Sequence, residues 1–280
     1  MFSTVLFVGV ALFASRIVLP PAPADDPKDP KAVEATPQAI AAANKFLDAL
    51  DAGQREKAFY EFGSPKKSGW SNLPTTAVPR NGVALGDLTK EQRTLAMDVV
   101  AAVTSKGGYQ KIVEIMDGDQ MLAEGKGGKG GKGKGGKGKG GGAPFGAGKY
   151  YLAIFGKPSA TQPWMVQFGG HHLGVNVTVI GKHFVLTPTH TGAQPTLFKR
   201  GDKEVRPLGL ENDTAFKLVN ALDGQQRGQA VIAQRSQQEL LLGPGRDQRP
   251  VPPPEGIKGS ALTAQQQAML LDIIGAWVRK

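Results

Sequence analysis

All four histidines of this 280-residue chain fall between positions 171 and 190. An imidazole that titrates near neutral pH can move a proton or hold a metal, and a buried one can equally be a hydrogen-bonded structural group. His171 and His172 follow Gly169-Gly170, whose freedom permits a bulge. Residues 173–180 and 183–187 read as a β-hairpin around Gly181-Lys182. In that register Ile180 faces His183 and Leu173 faces His190. His171 and His190 then share the buried face, roughly 7 Å apart on a diagonal. His172 and Asn176 take the wetter face, and His183 lies roughly 26 Å along the strand. His171 and His190 are the candidate metal pair, without a third ligand at any recognised spacing. His171 and His172 are the candidate acid–base pair.

Trp70 and Arg80, with Trp164, offer aromatic faces and a forked guanidinium suited to a sugar or peptide. The competing reading is that Trp70, beside loop prolines, pins its loop to the core. His171, His172, Asn176, Trp70 and Arg80 together form the candidate site.

The third chemical feature is a Gly/Lys stretch over residues 125–142 carrying Lys126, Lys129, Lys132, Lys134, Lys137 and Lys139 and no acid. It resembles a phosphate loop only superficially, because no Ser or Thr follows any lysine. Its composition predicts a disordered tether able to attract an anionic polymer or surface. Removing its six charges from the net +10 leaves +4, so the rest of the chain is nearly balanced. No sequence-specific nucleic-acid motif, nucleotide-binding fingerprint or G-x-S-x-G elbow is present, and no cofactor is expected. The absence of cysteine excludes disulfides, thiolate metal sites and cysteine nucleophiles.

The surrounding elements divide by period. Residues 1–24 read as a signal peptide: an apolar run over 4–14, then Ala22-Pro23-Ala24 as a cleavage site. An uncleaved N-terminal anchor is the alternative, and either places the protein outside the cytoplasm. A disordered spacer over 25–35 leads to one α+β domain over 36–280. Thr36-Pro37 predicts a helix start, and Thr89-Lys90-Glu91-Gln92 a capping box. Residues 150–187 change to β-type alternation, predicting a small antiparallel sheet. Two related helical units flank it. Leu218-Val219-Asn220-Ala221-Leu222-Asp223 echoes Phe46-Leu47-Asp48-Ala49-Leu50-Asp51, and Leu262-Thr263 with Gln266 echoes Leu88-Thr89 with Gln92. Both echoes share an offset of 172 to 174, which predicts an internal repeat over 42–103 and 214–277.

Trp70 with Leu73-Pro74, Arg80-x-Gly82, Leu88-Thr89-x-x-Gln92-Arg93, Gly108-Tyr109, Tyr151-x-x-x-Phe155-Gly156-x-Pro158, Trp164, and Gly170-His171-His172-Leu173 with Asn176 form a set. On it the chain resembles a bacterial family known as domain of unknown function thirty-five hundred. The family brings no established activity. The resemblance also implies a short member, without the strand segment that follows the second helical block in longer relatives. Where relatives tend to carry an aromatic and Asn, this chain has His190 and Gln194. The expectation is a non-catalytic extracytoplasmic binding or interaction protein. The alternative is a hydrolase-like enzyme using His171 and His172, with or without a metal.

Overall fold

Four glutamines at helix starts organise the helical part of the molecule. The computed structural model describes residues 30–125, 145–235 and 253–278. Helix α1 (Pro30–Asp48) is followed by α2 (Ala52–Ala58), β1 (Phe59–Tyr60), β2 (Val83–Ala84), α3 (Lys90–Ala102) and α4 (Lys106–Ala123). Asp51 caps α2 and Thr89 caps α3, each in a reciprocal box with the glutamine three residues on. Those glutamines also bind each other: Gln54 Nε2 donates to Gln92 Oε1 at 3.2 Å, and Gln92 Nε2 to Gln54 Oε1 at 2.8 Å. Gln92 further donates to the Ala49 carbonyl at 2.7 Å. One amide pair thus satisfies two helix starts and locks α3 to the end of α1.

The same bonds recur among α5 (Gly209–Ala221), α6 (Gly224–Ala230) and α7 (Ala264–Val278). Asp223 and Gln226 form one box, and Thr263 and Gln266 exchange the same two bonds. Gln226 and Gln266 donate to each other at 3.0 and 2.8 Å. Gln266 reaches the Ala221 carbonyl at 2.8 Å.

Between these groups in the chain runs the main sheet: β3 (Tyr151–Phe155), β4 (Trp164–Gly170), β5 (Leu173–Ile180) and β6 (His183–Thr191), in the order β1-β3-β4-β5-β6. Every pairing is antiparallel except β1 with β3, and β2 also pairs with β3. A separate two-stranded ribbon joins β7 (Phe198–Arg200) to β8 (Lys203–Val205). The protein is therefore α+β. Period-two alternation sends Leu152, Ile154, Val166, Phe168, Val175 and Val177 to one face, where they meet Phe46, Val99, Val100 and Ile112 of the helices. Each such side chain contributes about 1.5–3 kcal/mol by leaving water.

Three expectations change. The sheet extends beyond residues 150–187, to Thr191 and to β1 and β2. It is mixed, because β1 joins parallel. Helix α1 begins at Pro30, so it takes in residues 30–35 of the expected spacer, and Pro37 lies inside it. Thr36 is no cap there: its hydroxyl donates to the Gly181 carbonyl at the β5–β6 turn, 2.9 Å away. Finally, Ile180 faces His183, yet Leu173 faces Thr191 and Gly174 faces His190, because a bulge between Val175 and Val177 shifts the register. The signal segment 1–24 and residues 126–142 of the Gly/Lys stretch lie outside the described residues. Among the described residues, no helix is long and apolar enough to cross a membrane.

Candidate functional site

Gly170 pairs with Leu173, which makes His171 and His172 the two residues of the β4–β5 turn. Strand parity does not apply to turn residues. His172, expected on the face opposite His171, instead lies against it with ring centroids 3.8 Å apart. The turn is tight: a Cβ at Gly170 would meet the Tyr150 ring at 2.9 Å, and His172 is held at φ 60°. That left-handed conformation is costly for a residue other than glycine, and the surrounding bonds fix it. His172 N–H donates to the Asn72 carbonyl at 2.7 Å, and Gly192 N–H to the His172 carbonyl at 2.8 Å. Tyr150 Oη donates to the His171 carbonyl at 2.9 Å.

The His171 ring is buried, with Nδ1 2.7 Å from Asp119 Oδ1. Asp119 is buried too, and its other oxygen accepts from Gly146 N–H at 3.0 Å. Phe145 covers the His171 ring at 4.7 Å between centroids. His172, less buried, places Nε2 3.1 Å from Gln194 Oε1. His190 approaches the same spot: a Cβ at Gly192 would lie 3.4 Å from both His172 Nδ1 and His190 Nε2. Burial lowers the pKa of His172, the neighbouring His171 lowers it further, and the Gln194 bond and Asp119 oppose the shift. Burial and His172 lower that of His190. Burial, then Asp119, pushes the Tyr150 hydroxyl well up.

The expected metal pair does not form a ligand set. His171 Nδ1 is held by Asp119, and among the described residues no group of three or more His, Asp or Glu is placed to hold a metal ion. His183 stands exposed at the far end of the hairpin, opposite Ile180, as its position in the strand implied.

Trp70 and Arg80 pin the turn rather than line a groove. A Cβ at Gly174 would fall 2.5 Å from Trp70 Cε3, so the indole lies flat on a strand that glycine leaves bare. Arg80 donates to the Val78, Leu73 and Gly170 carbonyls, and burial lowers its pKa to about 10. The cavity beside Trp70 and Arg80 is about 10 Å³, at the lower edge of the roughly 10–15 Å³ that a single water needs. Trp164 is fully buried in the core. Asn176, also fully buried, sits at the bulge, donates to the Pro188 carbonyl at 2.7 Å and accepts from Gln167 at 2.9 Å. Asn176, Gln167 and the Pro188 carbonyl thus engage one another, while Arg80 Nε and Trp164 Nε1 are buried without a hydrogen-bond partner among the described residues.

Two features escaped the sequence reading. Asp119 falls seven residues after Ile112 and four after Ile115, on the apolar stripe of α4, and a carboxylate there signals a buried partner. The second is an open cleft of about 550 Å³ lined by Ala193, Leu197, Arg206, Leu208, Asn212 and Trp277. Its residues come from two loops and two helices, and no periodicity connects them.

Fold and site together define an α+β protein with a helix-backed sheet and a pinned histidine turn. Over residues 32–280 the chain matches the family described as Protein of unknown function (DUF3500), and it belongs to that family. No curated protein and no solved structure gives a significant match.

Proposed function

We propose that the chain is an extracytoplasmic, non-catalytic binding or interaction protein that works through the surface around Trp277. One contrast carries this reading. His171 Nδ1, His172 Nε2 and the carbonyls of the histidine turn are engaged by internal bonds, whereas the cleft at Trp277 is open, mostly apolar, and within the 300–1,000 Å³ range of ligand sites. The apolar run over residues 4–14 supports export. The rival, a hydrolase-like enzyme using His171 and His172, draws on the Asp119–His171 bond, which has the form of a base and its orienting carboxylate. Against it, the His171 ring lies beneath Phe145 and His172, out of reach of a substrate.

The test is a photo-crosslinking amino acid at position 277, compared with one at exposed Lys182, in the exported protein of the native host. A discrete adduct at 277 alone is expected. Esterase or phosphatase turnover that disappears in His172→Ala would overturn the reading in favour of the enzyme.

A further inference from the structure

We propose that α5–α7 is a second copy of the α1–α3 unit, and that its exposed face seats an apolar edge β-strand from another protein. This rests on the interaction-protein reading and names the partner's chemistry. The correspondence is atomic as well as sequential. Phe59 N–H, ending α2, donates to the Arg55 carbonyl, and Val231 N–H, ending α6, donates to the Arg227 carbonyl. Gly82 and Gly256 hold the same left-handed backbone, φ 100° and 92°.

In the first unit these positions receive β3. Phe59 and Tyr60 pair with Ile154 and Phe155, and Val83 and Ala84 with Leu152 and Tyr151, all along the edge of β3 that β4 leaves open. Gly82 must be glycine because a Cβ would strike the Leu152 carbonyl oxygen at 2.4 Å. In the second unit Gly256 keeps the conformation, yet among the described residues its Cβ position meets nothing closer than Ile232 Cγ2 at 3.8 Å. The backbone is shaped for a strand, and none of the described residues fills the space.

The helices agree. Leu47, Val100 and Val103 face the sheet and are 2%, 0% and 6% exposed. Their counterparts Val219, Ile274 and Trp277 are 37%, 45% and 45% exposed, and Val231 and Ile232 beside them are 43% and 58% exposed. Thr36, which holds the hairpin tip in the first unit, corresponds to Leu208, which lines the open cleft. These five side chains expose roughly 400 Å² of apolar surface, about half of the 800 Å² or so that each partner buries in a stable globular dimer. That area suits an added strand rather than a second copy of the whole chain. The chemistry of β3 describes the occupant: five uncharged residues with an aliphatic side chain at alternate positions facing the helices.

The probe is a fluorescein-labelled synthetic peptide with the sequence of residues 149–157, which carries β3 between two lysines. Anisotropy titration against the full chain should saturate at one peptide per chain. The variant Ile274→Asp, at an exposed position, should weaken binding at least about tenfold, and a peptide with proline in place of Ile154 should not bind. Circular dichroism of Ile274→Asp should match the parent. Undiminished binding to Ile274→Asp, or no saturable binding, overturns the proposal. If the peptide fails while sedimentation equilibrium shows a dimer that Ile274→Asp dissociates, the strand is wrong and the occupant is a second copy, leaving the interaction reading intact. Failure of both, with no adduct at position 277, removes that reading too.

Discussion

Asp119 and His171 meet at 2.7 Å inside the molecule although 52 positions separate them in the chain. The carboxylate takes one bond from the imidazole and one from Gly146 N–H, so it joins α4, the segment entering β3, and the β4–β5 turn. Asp119→Ala would orphan two buried donors at once. A loss of about 2–4 kcal/mol is expected, read as a lowered urea midpoint with unchanged slope. Asp119→Asn, which keeps an acceptor, should lose less. A carboxylate kept for catalysis rather than structure would leave the midpoint nearly where it was.

Acid should weaken the fold through the other two clustered histidines. His172 and His190 both have pKa values lowered from 6.5, chiefly by burial. As pH falls through 6.5 the unfolded chain takes up these protons before the native state does. Their contribution is therefore complete above 6.5 and shrinks as pH drops toward the folded values. Melting temperature should decline over that window. The decline should be shallower in the double variant His172→Asn, His190→Gln, where Asn tolerates the left-handed backbone. An unaltered pH profile in the double variant would assign the acid sensitivity elsewhere.

The indole of Trp70 occupies the space a side chain would need at position 174. Gly174→Ala should cost about 1–3 kcal/mol by overpacking a rigid ring. Gly228→Ala is the matched control: it lies in α6 with nothing within 4 Å of the new methyl group, and should gain about 0.5–1 kcal/mol from helix propensity. Equal responses at the two sites would show that Trp70 yields.

The six lysines between residues 126 and 139 should govern any attraction to polyanions. Replacing all six with serine should abolish salt-sensitive retention on heparin. Retention that survives the change would place the basic surface elsewhere in the chain.

Export gives the fifth expectation. N-terminal sequencing of protein from the native host should begin at or near Asp25. An intact Met1 terminus in a soluble cytoplasmic fraction would contradict it.

Local rules determined what is local. Thr89 with Gln92 and Thr263 with Gln266 announce their helices because a cap is satisfied within four residues. Gly181-Lys182 sets the turn, and alternation along β5 marks its buried face, since period two is a property of the backbone itself. The register failed at the far end of the same hairpin. The bulge sets Thr187 and Pro188 of β6 against Asn176 alone, whose amide accepts from Gln167 and donates to the Pro188 carbonyl; Pro188, which cannot donate to a ladder, is its one local sign. The two histidines were legible as a cluster, but their placement was not. Whether Gly170-His171-His172-Leu173 runs on as a strand or closes as a turn depends on Asn72, Tyr150 and Arg80 gripping its carbonyls and N–H from elsewhere in the chain. Only tertiary structure could bring Asp119 beneath His171 or leave Trp277 exposed where Val103 is buried. Contacts between distant segments are chosen by packing the whole core, and no local spacing records them.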